Sequence, residues 1–410
     1  MNSQDIAPKS AAVDPPQMIK ASTAPVHGTP YDRDQPESGI ALCLSGGGYR
    51  AMLFHLGSLW RLNEIGLLDR VARISSVSGG SITSGVLGAY WSQRPPDAAG
   101  QAIWFASEIV ARIRKMAGTT IDWESVVIGK IPLLGTVAKH IAGEYDKHLF
   151  GGKTLQNLPG DPPRFVINAT SLQSGVLWRF SKPYMGDWKV GRFARPGLKL
   201  AVAVAASSAF PPFLSPAEVE LNPADYISDP SRPPVLADPQ YRTKAVLTDG
   251  GVYDNLGLET AYKRYDTLLV SDGGGVLDPQ TSPHREWALQ TYRVLNIIDN
   301  QVGALRKRQL MAEFGRSHKG AFWGIRTDIK EYRLPDALAC DAQTTSRLAA
   351  TPTRLAALDD ATQELLIDWG YAVCDAAVRR YFPQPSATPP DASPYRHFKR
   401  ANGVPAAGAQ

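Results

Sequence analysis

The stretch IALCLSGGGYRA, residues 40–51, joins an apolar run to three consecutive glycines and then to a helical pattern. A short apolar run that ends at glycine is typical of a buried strand. The stretch VARISSVSGG, residues 71–80, has the same order of strand, tight turn and helix. Buried strands that alternate with helices predict an α/β fold with a mainly parallel central sheet.

The turns after these two strands also indicate a reactive site. Gly46, Gly47 and Gly48 carry no side chain, so their backbone N–H groups can approach a developing oxyanion. Ser78 lies where a tight strand-to-helix turn would hold its Oγ clear of the sheet. The following helix would direct its amides and the positive end of its dipole at the same place. We therefore predict a serine nucleophile beside an oxyanion hole.

A third stretch, KAVLTDGGVYDN at residues 244–255, supplies a carboxylate at the end of a predicted strand. In that position Asp249 could accept the proton of a serine. A second Asp-Gly-Gly sequence, Asp272 to Gly274, follows another apolar run and offers a rival base.

Taken together and in this order, the three stretches resemble the patatin-like phospholipase family of lipid acyl hydrolases, over roughly residues 39–275. The segment AASSAFPPF, residues 205–213, is also similar to the small-residue helix and proline turn of that family. The resemblance implies a three-layer α/β/α fold. It also implies a catalytic dyad in which Asp249 takes the proton of Ser78.

The resemblance favours Asp249 over Asp272 as the base, because only Asp249 is followed by Asp254 and Asn255 in the family's spacing. Asp254 and Asn255 are expected to cap the turn and the segment after it rather than to contact substrate. The glycines Gly80, Gly250 and Gly251 are expected to support the site. Arg50 could tie down nearby carbonyls or place a phosphate headgroup, and we expect the structural role.

Two positions depart from the family's pattern. Ser76 stands where the turn around the nucleophile has glycine, and its side chain is expected to crowd that turn. Ala51 stands where the oxyanion stretch usually ends in glycine. We expect Ala51 to lie in the first helical turns, where alanine costs little. Neither departure removes a reactive atom.

The histidines and cysteines give no further catalytic motif. His55 is the histidine nearest to a motif, but we expect it to be a packed helix residue rather than a catalytic base. Cys43, Cys340 and Cys374 lie far apart and have no metal-ligand spacing. We therefore predict no metal site and no cofactor, and we expect Cys43 to be a buried strand residue.

Two other functions fit parts of the pattern. Gly46-x-Gly48-x-x-Ala51 after a strand fits a loose dinucleotide-binding fingerprint, but the required acidic residue should end the next strand, and Asp69 precedes it. A catalytically inactive lipid-binding module on the same fold is the other alternative, and the presence of both Ser78 and Asp249 argues against it. Inertness to a serine-reactive fluorophosphonate would favour either alternative.

Length and composition indicate how the chain is divided into domains and tails. The chain has 410 residues, of which 43% are hydrophobic and 20% charged, so disorder throughout is excluded. We predict a flexible tail at residues 1–38 and a patatin-like domain at residues 39–335 with an insertion at about 99–160. A helical extension at residues 336–385 and a second flexible tail at residues 386–410 complete the prediction.

The net charge of +5 is mild, and the sequence contains no nucleic-acid recognition motif, so no nucleic-acid partner is predicted. A lipid or acyl-ester substrate and transient contact with an anionic membrane surface are expected instead. Protein partners cannot be predicted. The sequence contains no secretory signal and no apolar segment of about eighteen residues, so a cytoplasmic or specially exported protein is expected, and peripheral association with a membrane is compatible with this. The apolar stretches of residues 99–160 could contact lipid, although packing on the core is the expected arrangement.

Overall fold

The computed structural model describes residues 37–121, 136–228, 234–275, 277–283 and 285–400. The predicted N-terminal tail at residues 1–38 lies outside these ranges, except that Glu37 and Ser38 begin the first strand.

The strands are β1 (Glu37–Leu44), β2 (Val71–Val77), β3 (Arg164–Ser171), β4 (Leu177–Phe180), β5 (Tyr184–Asp187), β6 (Gly191–Ala194), β7 (Ala217–Glu220), β8 (Tyr226–Ile227), β9 (Lys244–Asp249), β10 (Tyr265–Asp272), β11 (Lys319–Gly324), β12 (Leu338–Ala339) and β13 (Lys399–Arg400). The α-helices are α1 (Gly48–Glu64), α2 (Gly79–Tyr90), α3 (Ala98–Trp104), α4 (Ala111–Ala117), α5 (Thr136–Tyr145), α6 (Leu200–Ser207), α7 (Gly251–Asp254), α8 (Trp287–Glu313), α9 (Ala342–Ala349) and α10 (Asp360–Tyr381).

The central sheet of the described residues is mixed and has the strand order β11-β10-β1-β2-β3-β4-β5-β6-β8, with β9 paired to both β3 and β7. The strands from β11 to β3 in this order are parallel. The remaining pairs are antiparallel. The carboxyl ends of β1, β2 and β10 therefore meet at one edge of the sheet, and the three glycines, Ser78 and the loop after Asp272 follow them there.

The sheet is covered on both faces, which confirms the predicted three-layer α/β/α fold. Alternate residues of β1 show this, because Leu42 and Leu44 belong to the main core whereas Ala41 and Cys43 belong to a smaller cluster on the other face. A strand buried on both faces reads as a continuous apolar run, as residues 40–44 do.

The C-terminal helix α10 is part of the main core. It packs along α1 so closely that a Cβ built on Gly370 would lie 1.9 Å from the carbonyl oxygen of Phe54. A Cβ on Gly57 would lie 1.8 Å from the oxygen of Ile367. The buried Asp375 carboxylate also binds the Arg61 guanidinium across this contact. The segment predicted as a helical extension therefore completes the domain.

Part of the predicted C-terminal tail is packed. The buried Asp368 carboxylate of α10 accepts hydrogen bonds from Ser393 Oγ at 2.7 Å and from the Tyr395 N–H at 2.9 Å. Phe398 is buried against the core. Residues 386–400 are therefore ordered by contacts to α10, which the composition of this segment did not predict. Residues 401–410 of that tail lie outside the described residues.

The described parts of the predicted insertion also pack on the core. Phe105, Ile109 and Ile113 are buried in the main hydrophobic cluster, whereas Ile103 is exposed. Residues 122–135 of this segment are not among those described. Within the described ranges, no helix combines the length and the apolar composition that crossing a bilayer requires.

Candidate active site

Ser78 lies at the turn between β2 and α2 with a strained backbone. Its φ is 50° and its ψ is −119°, a conformation that a residue with a side chain rarely adopts. Its N–H donates a hydrogen bond of 2.9 Å to Ser207 Oγ. Gly46, Gly47 and Gly48 form a loop, called the glycine loop below, and helix α2 starts against it. A Cβ on Gly79 would lie 2.2 Å from the oxygen of Gly48. This is the geometry of a nucleophile elbow.

Asp249 lies at the end of β9, which pairs with β3 through Ala169. Its side chain is buried and lies close enough to the Ser78 side chain for Ser78 to lower its pKa. Its Oδ1 also accepts a hydrogen bond of 2.7 Å from the Gly251 N–H. The structure thus brings together the predicted nucleophile and the predicted base, which lie far apart in the sequence.

Burial changes the acidity of this carboxyl. It raises the pKa of Asp249 from the usual 3.8 to about 7, although hydrogen bonds from Gly251 and Ser78 lower it and the nearby charge of Asp299 raises it further. A carboxylate with a pKa near neutrality can both take and return a proton, which is what a general base in ester cleavage must do.

The glycine loop lies directly beside the nucleophile. A Cβ on Gly46 would lie 3.1 Å from the Cβ of Ser78. The Gly46 N–H, however, donates to the carbonyl oxygen of Asn255 at 3.0 Å, so it is not available to an oxyanion. The N–H groups of Gly47 and Gly48 have no acceptor among the described residues. The predicted set of three donors is therefore reduced to Gly47 and Gly48.

The Arg50 side chain binds backbone carbonyl groups of two other loops. Its guanidinium donates from Nε to the oxygen of Gly273 at 3.1 Å and from Nη1 to the oxygen of Thr351. The side chain is buried, and burial lowers the pKa of Arg50 to about 10. These contacts agree with the expected structural role. They connect the start of α1 to two distant loops.

Glycine is required at several supporting positions because backbones approach closely there. A Cβ on Gly80 would lie 2.6 Å from the oxygen of Leu44, and one on Gly250 would lie 2.3 Å from the oxygen of Asn168. Gly251 contributes its N–H to Asp249. All three predicted supporting glycines therefore lie in the turns next to Ser78 and Asp249.

The two departures from the family's pattern fit the structure without loss of a reactive atom. The Ser76 hydroxyl accepts hydrogen bonds from Ser84 Oγ at 2.6 Å and from Ser81 Oγ at 3.1 Å. Serine at this position is therefore hydrogen-bonded by the helix that passes over it. Ala51 lies in the first turns of α1, as predicted.

His55 is a packed helix residue, as predicted, and it supports the loop. Its Nε2 lies 2.9 Å from the oxygen of Ser45 and its Nδ1 lies 2.8 Å from Ser271 Oγ. Burial lowers the pKa of His55 to about 4, so the ring is neutral near neutral pH. Both ring nitrogens of His55 are therefore engaged by groups other than Ser78.

The rival carboxylate is engaged elsewhere. Asp272 forms an ion pair with Lys307 of α8, and its Oδ1 accepts from the Gly274 N–H at 3.0 Å. Burial raises the pKa of Asp272 and Lys307 lowers it, so that the pKa lies below its usual value. Asp272 thus orders the loop that packs beneath the glycine loop.

One supporting side chain was not predicted from the sequence. Ser207 Oγ accepts from the Ser78 N–H at 2.9 Å and donates to the oxygen of Asn168 at 2.6 Å, so it fixes the elbow against β3. Its only sequence signal is its place in the small-residue segment at 205–213. The described residues contain no cluster of His, Cys, Asp and Glu side chains arranged to hold a metal ion.

The sequence of this chain matches a known protein family. The family model of patatin-like phospholipases matches residues 42–262, which is more than half of the chain. The chain therefore belongs to the patatin-like phospholipase family. No curated protein sequence matches it significantly.

Solved structures matched to this chain include human GIVD cytosolic phospholipase A2, which is 14% identical with a TM-score of 0.45, and the match covers 87% of this chain. VipD from Legionella pneumophila is 11% identical with a TM-score of 0.32, and the match covers 82% of this chain and 66% of VipD. ExoU from Pseudomonas aeruginosa, solved with SpcU, is 16% identical with a TM-score of 0.23, covering 67% of this chain and 53% of that one. The chain spans 63% of the length of the human enzyme.

Proposed function

We propose that this protein is a serine hydrolase that cleaves acyl esters of phospholipids or lysophospholipids. Family membership supports lipid acyl hydrolysis as the general activity. The observation that carries the finer proposal is the position of the buried Asp249 carboxylate beside the side chain of Ser78, which lies on a strained elbow. Two unpaired N–H groups lie beside them on the glycine loop.

The proposed reaction has two steps. Asp249 takes the proton of Ser78 as Oγ attacks the ester carbonyl carbon, and the N–H groups of Gly47 and Gly48 stabilise the oxyanion. The alcohol then leaves with the proton from Asp249, and an acyl-serine remains. Water attacks this acyl group, Asp249 takes the proton of the water, and the fatty acid is released as the proton returns to Ser78.

A fluorophosphonate experiment tests this function against its alternatives. We expect a fluorophosphonate to label the protein at Ser78, and the protein to hydrolyse one or more members of a panel of phospholipids, lysophospholipids and triacylglycerols. An inert protein that still binds lipid vesicles would indicate an inactive lipid-binding module. An inert protein that binds a nicotinamide dinucleotide would indicate the dinucleotide-binding alternative.

The oxyanion hole gives a separate prediction. Gly47 has a φ of 141°, and a Cβ there would lie 2.8 Å from the oxygen of Gly273, so Gly47→Ala should displace the loop. We expect a loss in kcat of about a hundredfold, the effect of removing one oxyanion donor. Steady-state kinetics on a soluble short-chain ester measure this. Gly303→Ala is the control, because no atom lies within 4 Å of its added Cβ. Unchanged kcat in folded Gly47→Ala protein would make this loop a structural turn only.

Helix α8 places polar residues toward the protein and many apolar residues toward the outside, which is the opposite of an ordinary surface helix. Its residues that face the protein include Asn296, Asp299, Gly303 and Lys307, which recur at the spacing of one helix face and are partly buried. The exposed surface of the helix is rich in apolar side chains. The exposed large apolar residues of α8 are Trp287, Leu289, Val294, Leu295, Ile297, Ile298, Val302, Leu305 and Met311.

Polar contacts fix α8 beside the active site. Lys307 binds Asp272, and Arg306 binds Glu259 at 3.4 Å. Asp299 lies close enough to Asp249 to raise its pKa. The apolar side chains therefore lie exposed next to the proposed dyad, and folding does not remove them from water.

We propose that this exposed apolar surface of α8 lies on the surface of a lipid aggregate. Neither acidic residue of α8, Asp299 or Glu313, is fully exposed, whereas the basic residues Arg285, Arg308 and Arg316 are exposed on the helix or just beyond its ends. Apolar side chains flanked by arginine fit the boundary between acyl chains and anionic headgroups. Trp287, at the start of the helix, suits the same boundary.

Charge substitution on this apolar surface tests the contact with lipid. The test uses a Ser78→Ala background, which keeps the lipid intact. Leu295→Glu/Ile298→Glu should lower partition onto phosphatidylcholine–phosphatidylglycerol vesicles by tenfold or more, since two apolar side chains that would be buried in the lipid are lost. Vesicle co-sedimentation measures this. Ile103→Glu, at an exposed site outside α8, is the matched control. Undiminished binding by the double variant would exclude α8. A wild-type dimer that the variant abolishes would assign the apolar surface to a second copy.

A further inference from the structure

A cavity of about 400 Å³ lies at the opposite end of the sheet from the dyad. Arg73, in its wall, precedes Ser78 by five residues along β2, which corresponds to about 17 Å. The volume is within the range of small-molecule binding sites. Its basic lining residues are Arg73, Arg164, Arg179, Lys182, Arg195 and Arg264, and none of the lining residues is acidic.

The strand pairing concentrates this positive charge. Arg73 of β2 stands directly opposite Arg164 of β3 in the parallel register. Like charges at opposed positions destabilise a sheet. Among the described residues, no carboxylate forms an ion pair with Arg73, Arg164, Arg179, Lys182 or Arg195. Within the described part of the chain, these five cations therefore lie close together and no carboxylate is paired with any of them.

Two of these guanidinium groups have buried atoms left unpaired. The Nε atoms of Arg73 and Arg179 are buried and have no hydrogen-bond partner among the described residues. Burial raises the pKa of Tyr184 in the same wall, but the neighbouring charges of Arg179, Arg264 and Arg73 bring it below its usual value. An anion in the cavity would find donors and a positive potential already in place.

We propose that this cavity binds a ligand that carries two or more phosphate groups. The planar guanidinium fork matches phosphate oxygens in pairs, and several arginines around one small volume favour a multiply charged anion over a single carboxylate. The ligand is either a soluble phosphate compound or the phosphate headgroup of a lipid. The site is separate from the ester-cleaving dyad, and its occupancy does not depend on the proposed hydrolysis.

Binding to the full chain tests the proposal with two probes, both in the Ser78→Ala background. Titration calorimetry with sodium pyrophosphate at fixed ionic strength measures soluble ligand, and co-sedimentation with phosphatidylcholine vesicles containing phosphatidylinositol 4-phosphate, whose headgroup carries two phosphates, measures lipid. Arg164→Gln/Arg195→Gln should weaken binding tenfold or more, because two charge-assisted contacts are lost. Both side chains are exposed, so the fold should tolerate the change. Arg347→Gln, at an exposed arginine outside the cavity, should change nothing.

The outcomes separate the two sources and can overturn the site. Pyrophosphate binding that the double variant loses assigns a soluble ligand. Vesicle binding that the double variant loses, without pyrophosphate binding, assigns a lipid headgroup. Equal binding by the double variant and Arg347→Gln, or no binding of either probe by the Ser78→Ala parent, would overturn the proposal. Ester hydrolysis by Arg164→Gln/Arg195→Gln with Ser78 intact should match the wild type, which keeps this result distinct from failure of the proposed function.

Discussion

Ser78→Ala is expected to lower ester hydrolysis by about 10⁴-fold or more, because it removes the hydroxyl that is proposed to form the acyl-serine. The substitution removes only Oγ. The backbone hydrogen bond from the Ser78 N–H to Ser207 Oγ remains possible, so the elbow should keep its shape. The measurement is kcat/KM on a soluble short-chain ester, with a circular dichroism spectrum to show that the protein is folded.

Ser84→Ala is the matched control for this loss. Ser84 is also buried in α2, but its hydroxyl bonds only to Ser76 Oγ in the described hydrogen bonds. It should therefore retain most of the activity. Substantial turnover by folded Ser78→Ala protein, or fluorophosphonate labelling at another serine, would remove Ser78 from the proposed mechanism.

Asp249→Asn is expected to lower kcat by about 10³-fold or more, since it keeps the size of the side chain and removes the proton acceptor. Asp272→Asn is its matched control, because that carboxylate is also buried at a strand end but is paired with Lys307. The control should keep appreciable turnover. Steady-state kinetics on the same soluble ester compare the two variants. The reverse ranking in folded proteins would move the base to Asp272.

The pH profile reports on the same carboxylate. Because burial raises the pKa of Asp249 to about 7, the active ionised form is lost as the pH falls through this value. The kcat/KM of the wild type should therefore decrease about tenfold for each pH unit below about 7. His55 cannot supply this step, because burial lowers its pKa to about 4. If His55→Ala in a folded protein matched the loss of Asp249→Asn, a triad would replace the dyad.

The sequence alone determined the fold class and the order of the reactive segments. Apolar runs ending at Leu44, Val77 and Thr248 predict strands, and the residues that follow must turn sharply, so glycine and Ser78 stand out without a structure. These signals are local, because a strand end and the turn after it lie within a few residues. The placement of His55 as a packed residue was also predictable from its helical pattern.

Only the tertiary structure decided which of the candidate groups meet. Asp249 reaches Ser78 because β9 joins the sheet beside β3, whereas Asp272 meets Lys307 from a helix that follows later in the chain. The Gly46 N–H is engaged because the Asn255 carbonyl lies across it. Strand pairing and helix docking bring together residues that are far apart in the sequence. A local sequence pattern does not indicate which of these distant residues come into contact. The outward apolar surface of α8 and the cationic cavity have the same origin, since which face of an element is covered depends on its neighbours in space.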